Sequence, residues 1–426
     1  MADIIHIPEL YQDFIRHEKR FMPQNDHVIN LDHSQLTVSQ QNALEDFETF
    51  KYLMDNAYAG RDYWAMHGVN FHACYAQIEN QIKAQAYIHA SKLRELFYQA
   101  FAGKIVDNHL GLGVITERKR SVFSAHKYAY FTGITVEKQD NQYIVVQSET
   151  DNALAGDRIE CEESQLYPTL SPGEREWFYV GIRSWVPVEN ISIGLNGKAV
   201  TLPVHKSRAG DYVSAGEQHF KYTRCHDVPV VLSETFDAFG DVPRECGAEL
   251  GHQLQAEKEL LWVLADNGGG SSDYAMHFIE ALNGYANSAT HVAWLRTHIT
   301  DFTSVQLDKP YTEWKFSLDD PVDYTQSKYN GTLYTLMNTR TGSSAENAVG
   351  YAKSVKNHLL IGENSGGVGL FGEVQGYILR HSLIRLGIPC KIFLNGVAEG
   401  EGYTPDYWVD STDLVNTVAH WVKNNR

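Results

Sequence analysis

Apolar residues recur at three- and four-residue spacing through ALEDFETFKYLMDNAY, FHACYAQIENQIKAQ and SKLRELFYQAFAGK. That is the period of an amphipathic helix. The last run closes on Gly103, a helix-ending signal. Helices of this kind bury one stripe against each other, so residues 1–104 are expected to form an N-terminal helical domain. The pattern then changes. YAYFTGITV, QYIVVQ, EWFYVGI and ISIGLNGKAVTLPV are short, rich in β-branched and aromatic residues, and punctuated by Gly, Asn, Asp or Pro. They predict a β-rich region over 105–215, with a Gly-Asp turn in DNALAGDRIE. From 216 to 426, PVVLSETF, LLWVLAD, TLYTLMN, HLLIGE and CKIFLNG read as buried strands. SDYAMHFIEALNGYA, SAENAVGYAKSVK and DLVNTVAHWVKN read as amphipathic helices. Such alternation predicts an α/β layer on a mostly parallel sheet.

Composition narrows the functional classes. Of 426 residues, 43% are hydrophobic and 21% charged, a globular balance with room for a large core. Lys plus Arg number 36 against 53 Asp plus Glu, a net charge of −17. That charge disfavours nucleic acid and anionic membrane, and no basic block offsets it. No apolar run approaches the ~20 residues of a membrane span. The five cysteines (Cys74, Cys161, Cys225, Cys246 and Cys390) are scattered, with no CxxC or Cys/His cluster. They read as reduced thiols of a cytoplasmic-type compartment, with no metal site. MADIIHIPELYQDF lacks a basic region followed by an apolar one. The expected localisation is cytoplasmic as given, or exported if a native leader was removed.

Residues just past the carboxyl ends of strands face the ligand crevice of an α/β sheet. TLYTLMN-TRTGSSAENAVGYA puts Ser343 and Ser344 between a strand and a helix. The free amides there can hold a developing negative charge. Ser is also a preferred N-cap, and Ser343 with Glu346 matches a capping box. LLWVLADNGGGSSDYAMHF sets three glycines after a strand, a turn able to present oxyanion donors or simply to turn. It is not a P-loop, since no Gly-Lys-Ser/Thr follows. NGVAEGEGYTPDYWVDS holds Glu399 and Glu401 in a Gly-rich loop. A carboxylate there can orient a histidine or merely be solvated. Among 19 histidines, His109 in KIVDNHLGLGV stands at the helical-to-β junction behind Asp107 and Asn108.

The order of these segments resembles the S41 family of serine peptidases, the tail-specific, C-terminal processing and tricorn-core-like enzymes. The family pattern is Ser-x-x-Glu opening a helix, then Gly-Glu-x-Thr/Ser-x-Gly, then Glu-Gly-x-Gly-x-x-Pro-Asp. Here these read as Ser343 to Glu346, Gly362 to Gly366 and Glu399 to Asp406. DNGGG and IVDNHLGL resemble the family's Asn-x-Gly-Gly and Asp-x-His motifs. The resemblance implies an α/β catalytic core of the crotonase-like ββα type over 216–426. It also makes the β-rich region PDZ-like. Tail-processing members use a lysine where this chain has Val368, and no lysine occurs from 357 to 390. The Ser-Lys dyad is therefore excluded, and the resemblance implies the tricorn-like branch. Its roles fall on Ser343 as nucleophile, His109 as base and Glu399 as orienting carboxylate. The amides of Gly268 and Ser344 would form the oxyanion hole, with Asn108 and Glu401 in support. Two positions depart from the family: Val263-Leu264-Ala265 replaces Asp-Leu-Arg, and Asn108 replaces a serine.

The implied function is a serine endopeptidase acting on peptides or unfolded proteins, without cofactor or metal. Homo-oligomers are compatible with it. The alternative is a non-catalytic ligand- or peptide-binding protein on the same fold, which a serine-directed probe would not label. A crotonase-like acyl-CoA enzyme would bind coenzyme A. A structural assembly protein would not need Ser343.

Overall fold

The computed structural model describes residues 37–114, 120–214, 218–237, 242–297, 299–300 and 312–425. The leader expectation and residues 1–36 of the expected helical domain lie outside the described residues. The chain divides into two compact units, each discontinuous in sequence. The first comprises Met1–Ala125, His291–Leu318 and Leu370–Leu394; the second comprises His126–Thr290, Asp319–Gly369 and Asn395–Arg426. The sequence boundaries near 104 and 215 fall inside these units.

In the first unit the helical periodicity becomes Gln40–Asn56, Phe71–Lys83 and Ala90–Phe101, with a short helix Gly60–Met66. The Ser39 hydroxyl and Asn70 side-chain oxygen accept from the Asn42 and Ala73 amides, capping two helix starts. Their apolar stripes meet in a core of Phe47, Phe50, Leu53, Phe97 and Phe101, where Phe50 stacks on Phe97 at 4.4 Å. The stripes do not bury only one another. Leu110, Leu112, Ile384, Leu386 and Ile388 belong to the same core and come from an antiparallel sheet. Its order is Thr312–Ser317, His291–Thr297, Ile384–Leu394, Asp107–Val114 and Arg120–Phe123, with Phe371–Ile378 paired to Ile384–Leu394. CKIFLNG thus lies in this antiparallel sheet rather than in the parallel layer. An apolar run does not reveal its pairing partners.

Fourteen described strands of the second unit form one sheet. Its parallel centre comprises Val228–Leu232, Glu259–Val263, Thr332–Met337, His358–Gly362 and Tyr407–Trp408. Both faces are covered, so the strands read as near-continuous apolar runs. Leu260 and Trp262 point to one face, packing with Tyr274, Phe278, Ala345 and Val349. Leu261 and Val263 point to the other, toward Leu414, Val418 and Val422 of the last helix. The remainder of the sheet is the β-rich module, cored by Ile134, Val136, Val145, Val180 and Ile193. Asn196 and Gly197, both at positive φ, turn the hairpin between Asn190–Leu195 and Lys198–Pro203. Asp157 of the Gly-Asp turn accepts from Leu154 N at 2.7 Å and from Asn196 Nδ2 at 2.8 Å, tying two turns of the module together. Among the described residues no helix is long and apolar enough to cross a membrane.

Candidate active site

Two parallel strands deliver the Gly268 and Ser343 segments side by side. Glu259–Val263 pairs with Thr332–Met337, so the chain leaves both strands at the same end of the sheet. Thr341 Oγ1 donates to Leu264 O at 2.9 Å, and Asp266 N donates to Asn338 Oδ1 at 3.0 Å. Buried Asn267 closes the junction: its Oδ1 accepts from Gly269 N at 2.9 Å and its carbonyl from Gly342 N at 3.0 Å. The approach is so close that a Cβ on Gly269 would stand 2.8 Å from Ser343 Cβ and 2.9 Å from Ser344 N. Gly269 is at φ +107, so glycine is needed here for conformation as well as space.

Ser343 occupies the N-cap position of the helix Ser344–Ala352 with φ 53 and ψ −122, and its side chain makes no capping hydrogen bond. An ordinary N-cap adopts extended backbone and uses its hydroxyl to satisfy a helix amide. Ser343 does neither. A non-glycine residue in this region is strained by about 1–3 kcal/mol, and such strain clusters at functional sites. Ser344 is different. Its hydroxyl is buried and donates to Gly270 O at 2.6 Å. Among the described residues the Gly268 and Ser344 amides have no hydrogen-bond acceptor, and Gly268 borders open space.

The expected capping box is only half made: the Ser343 hydroxyl makes no cap bond, while the Glu346 carboxylate faces the Ser343 amide and is also engaged elsewhere. It is buried and accepts from Ser365 Oγ at 2.5 Å, Gly367 N at 2.9 Å and Val368 N at 2.6 Å. Burial pushes its carboxyl up to about 7, against the opposing pull of these donors. The Gly362–Gly369 loop thus gripped binds the loop that carries Glu399. Gly400 N donates to Gly367 O at 2.7 Å, Ser365 N to Tyr403 O at 3.0 Å, and Tyr403 N to Ser365 Oγ at 2.6 Å. Glu399 itself is buried, 7% exposed, which is unlike a solvated acidic loop. Glu401 is instead paired with Lys127 at 3.2 Å, and its carbonyl accepts from Arg183 at 2.9 Å.

His109 belongs to the first unit, on the strand Asp107–Val114. The pairing register with Arg120–Phe123 shifts between Asp107 and Gly111, so Asn108, His109 and Leu110 form a bulge. Bulges re-aim side chains. The buried Asp107 fixes this one: its Oδ1 accepts from His109 N at 2.9 Å and Leu110 N at 2.8 Å. Its Oδ2 accepts from Tyr58 OH at 2.8 Å, and Tyr58 OH accepts from Trp64 Nε1 at 3.0 Å. Burial raises the Asp107 carboxyl above its usual range, against the pull of Tyr58 and the two amides. The positioning parts of Asp107, Tyr58 and Glu346 escape a motif reading, since their partners lie on other segments of the chain. A signal existed only for Asp107, two residues before the histidine.

Val368 and the Val263-Leu264-Ala265 segment also have places. A Cβ on Gly342 would lie 3.3 Å from Val368 Cγ2, so an apolar side chain stands beside the serine turn where a lysine was excluded. Leu264 and Ala265 are buried, and the cation reaching this loop is Arg340, which bonds to Asp266.

Residues 255–409 match the sequence model of peptidase family S41, a span that takes in Gly268, Ser343, Ser344 and Glu399 but not His109. The chain is similar to the solved structure of mature CPAF in complex with lactacystin, with 13% identity, 90% and 96% of the two chains covered, and a TM-score of 0.47. For the photosystem II D1 C-terminal processing protease, identity is 14%, coverage 87% and 92%, and the TM-score 0.40. For the tricorn protease, identity is 14%, coverage 91% of this chain and 36% of the other, and the TM-score 0.40. No curated protein matches the chain significantly in sequence.

Proposed function

We propose that the chain, whose residues 255–409 match the model of peptidase family S41, is a serine endopeptidase using Ser343, His109 and Glu399. Its substrates are peptides or unfolded polypeptide segments. A serine hydroxyl is a weak nucleophile at neutral pH and needs a base. His109 takes the Ser343 proton as Oγ attacks the scissile carbonyl, then returns it to the leaving amine. Glu399 orients the imidazole and stabilises its charged form. The amides of Gly268 and Ser344 receive the oxyanion, each donor contributing about 3–4 kcal/mol to the rate. Water then hydrolyses the acyl-enzyme, with His109 again as base. The fold assignment that accompanies this reading is a crotonase-like core with a PDZ-like β-rich module.

The observation that carries the reading is the backbone of Ser343, held at φ 53 and ψ −122 on a helix tip without a capping bond. It also favours Ser343 over Ser344, whose hydroxyl is committed to Gly270 O. Casein hydrolysis and fluorophosphonate labelling test the assignment. Wild type should cleave and label, and Ser343→Ala should lose both by at least about 10³-fold. Labelling that survives in Ser343→Ala would overturn it.

A further inference from the structure

Glu346 contacts no reacting atom in the scheme above, and yet is among the most enclosed carboxylates of its unit, 1% exposed. Besides the Ser343 amide, three donors of a separate loop converge on it, Ser365 Oγ, Gly367 N and Val368 N, while it sits in the first turn behind Ser343. Its own amide donates to Ser343 O at 2.8 Å. On the far side of the gripped loop, Gly367 O accepts from Gly400 N, the residue next to Glu399. Ser365 Oγ, which donates to Glu346, accepts from Tyr403 N. A continuous chain of hydrogen bonds therefore runs from the Ser343 turn through Glu346 to the Glu399 loop.

We infer that Glu346 is a positioning residue that sets the Glu399 loop against the Ser343 turn. The inference rests on the catalytic reading above. Each carboxylate oxygen faces a backbone amide, Gly367 N on Oε1 and Val368 N on Oε2, and the Ser343 amide and the Ser365 hydroxyl add to them. Once ionised, above about pH 7, the carboxylate satisfies these donors, and charge-assisted bonds of this kind are short and strong. A carboxamide of the same shape cannot, because its NH₂ must face at least one donor. The ordinary N3 glutamate of a capping box reaches back to its own N-cap. This one faces the Ser343 amide and also reaches across 19 residues to Ser365 and 22 to Val368, which is what couples two separate active-site segments.

The test compares wild type with Glu346→Gln and the milder Ser365→Ala. Hydrogen exchange should rise by at least about tenfold at the amides of Gly367, Val368, Gly400 and Tyr403 in Glu346→Gln. Protection in the strand Glu259–Val263 should stay within about twofold of wild type. With a peptide substrate, kcat should fall about 10–100-fold while KM stays within about twofold, the pattern of misplaced catalytic groups. Val231→Ala, a core variant of comparable thermal loss, should leave kcat within about twofold. Unchanged exchange at Gly400 and Tyr403 in both Glu346→Gln and Ser365→Ala would overturn the coupling. A KM change with constant kcat would overturn the positioning role. If Glu346→Gln does not fold, Ser365→Ala carries both readouts. If wild type neither cleaves nor labels, the catalytic reading fails alone and the exchange result still decides the clamp.

Discussion

Ser343 is held in a conformation that no capping bond offsets, and that makes its cost measurable. With φ 53 and no capping bond, the position suits glycine better than serine by about 1 kcal/mol or more. Ser343→Gly should therefore raise the thermal midpoint above wild type while abolishing turnover. Ser343→Ala, which keeps the strain, should melt below Ser343→Gly and no higher than wild type. A true N-cap would instead put wild type highest, with alanine lower by about 1 kcal/mol and glycine slightly below wild type. Calorimetry of the three proteins checks this. A Ser343→Gly midpoint below wild type would show that the serine contributes to stability and would remove the strain argument.

The turn between strand and helix is the element on which the oxyanion site depends, and Gly269 is its tightest point. At φ +107, with Gly342 O and Ser343 Cβ both 2.8 Å from any added Cβ, Gly269→Ala must push the serine turn away from Gly268. A displacement near 1 Å can cost about 100-fold in rate. Loss of global stability should stay near 1–3 kcal/mol, since the contact is local. Steady-state kinetics with a melting curve separate the two, and full activity in a folded Gly269→Ala would contradict the proposed oxyanion geometry. Elements of this kind differ in how far the sequence discloses them. The helices Gln40–Asn56 and Asp273–Asn283 and the strand Glu259–Val263 follow from periodicity, because one face or both faces of each are buried. The antiparallel sheet of the first unit does not. Its strand Thr312–Ser317 is almost wholly exposed and so lacks alternation, and Ile384–Leu394 looks like any apolar run. At the site, Ser343 and Glu346 carry the spacing of a capping box, and local spacing is blind to the donors on Ser365 and Val368 that claim the glutamate. Tyr58 was equally invisible, since its partner Asp107 lies 49 residues away.

Across the whole molecule, buried carboxyls give stability a pH dependence opposite to that of ordinary acid denaturation. Glu363 is fully enclosed, and burial pushes it from 4.5 up to about 8, partly opposed by the nearby Lys206 and Arg183. Glu346 is raised in the same way to about 7. Between the unfolded and folded values the native state keeps a proton that the unfolded chain has released. The stabilising contribution is therefore complete below about pH 4.5 and is lost as pH rises to about 8. Asp410 has the reverse sign: burial works against it, but hydrogen bonds from His205 and Arg208 win and hold it below the usual carboxylate range. Its contribution is lost only in acid. The net charge of −17 adds self-repulsion that also grows with pH, so a falling midpoint in wild type would not by itself identify Glu363. Glu363→Gln does identify it, because the amide mimics the protonated acid and cannot ionise. The variant should melt close to wild type at pH 5 and on the order of ten degrees above it at pH 8.5, since a rise from 4.5 to about 8 corresponds to about 4–5 kcal/mol, at about 2–4 °C per kcal/mol for a unit of this size. A midpoint difference that stays constant from pH 5 to 8.5 would mean that Glu363 does not titrate in this window.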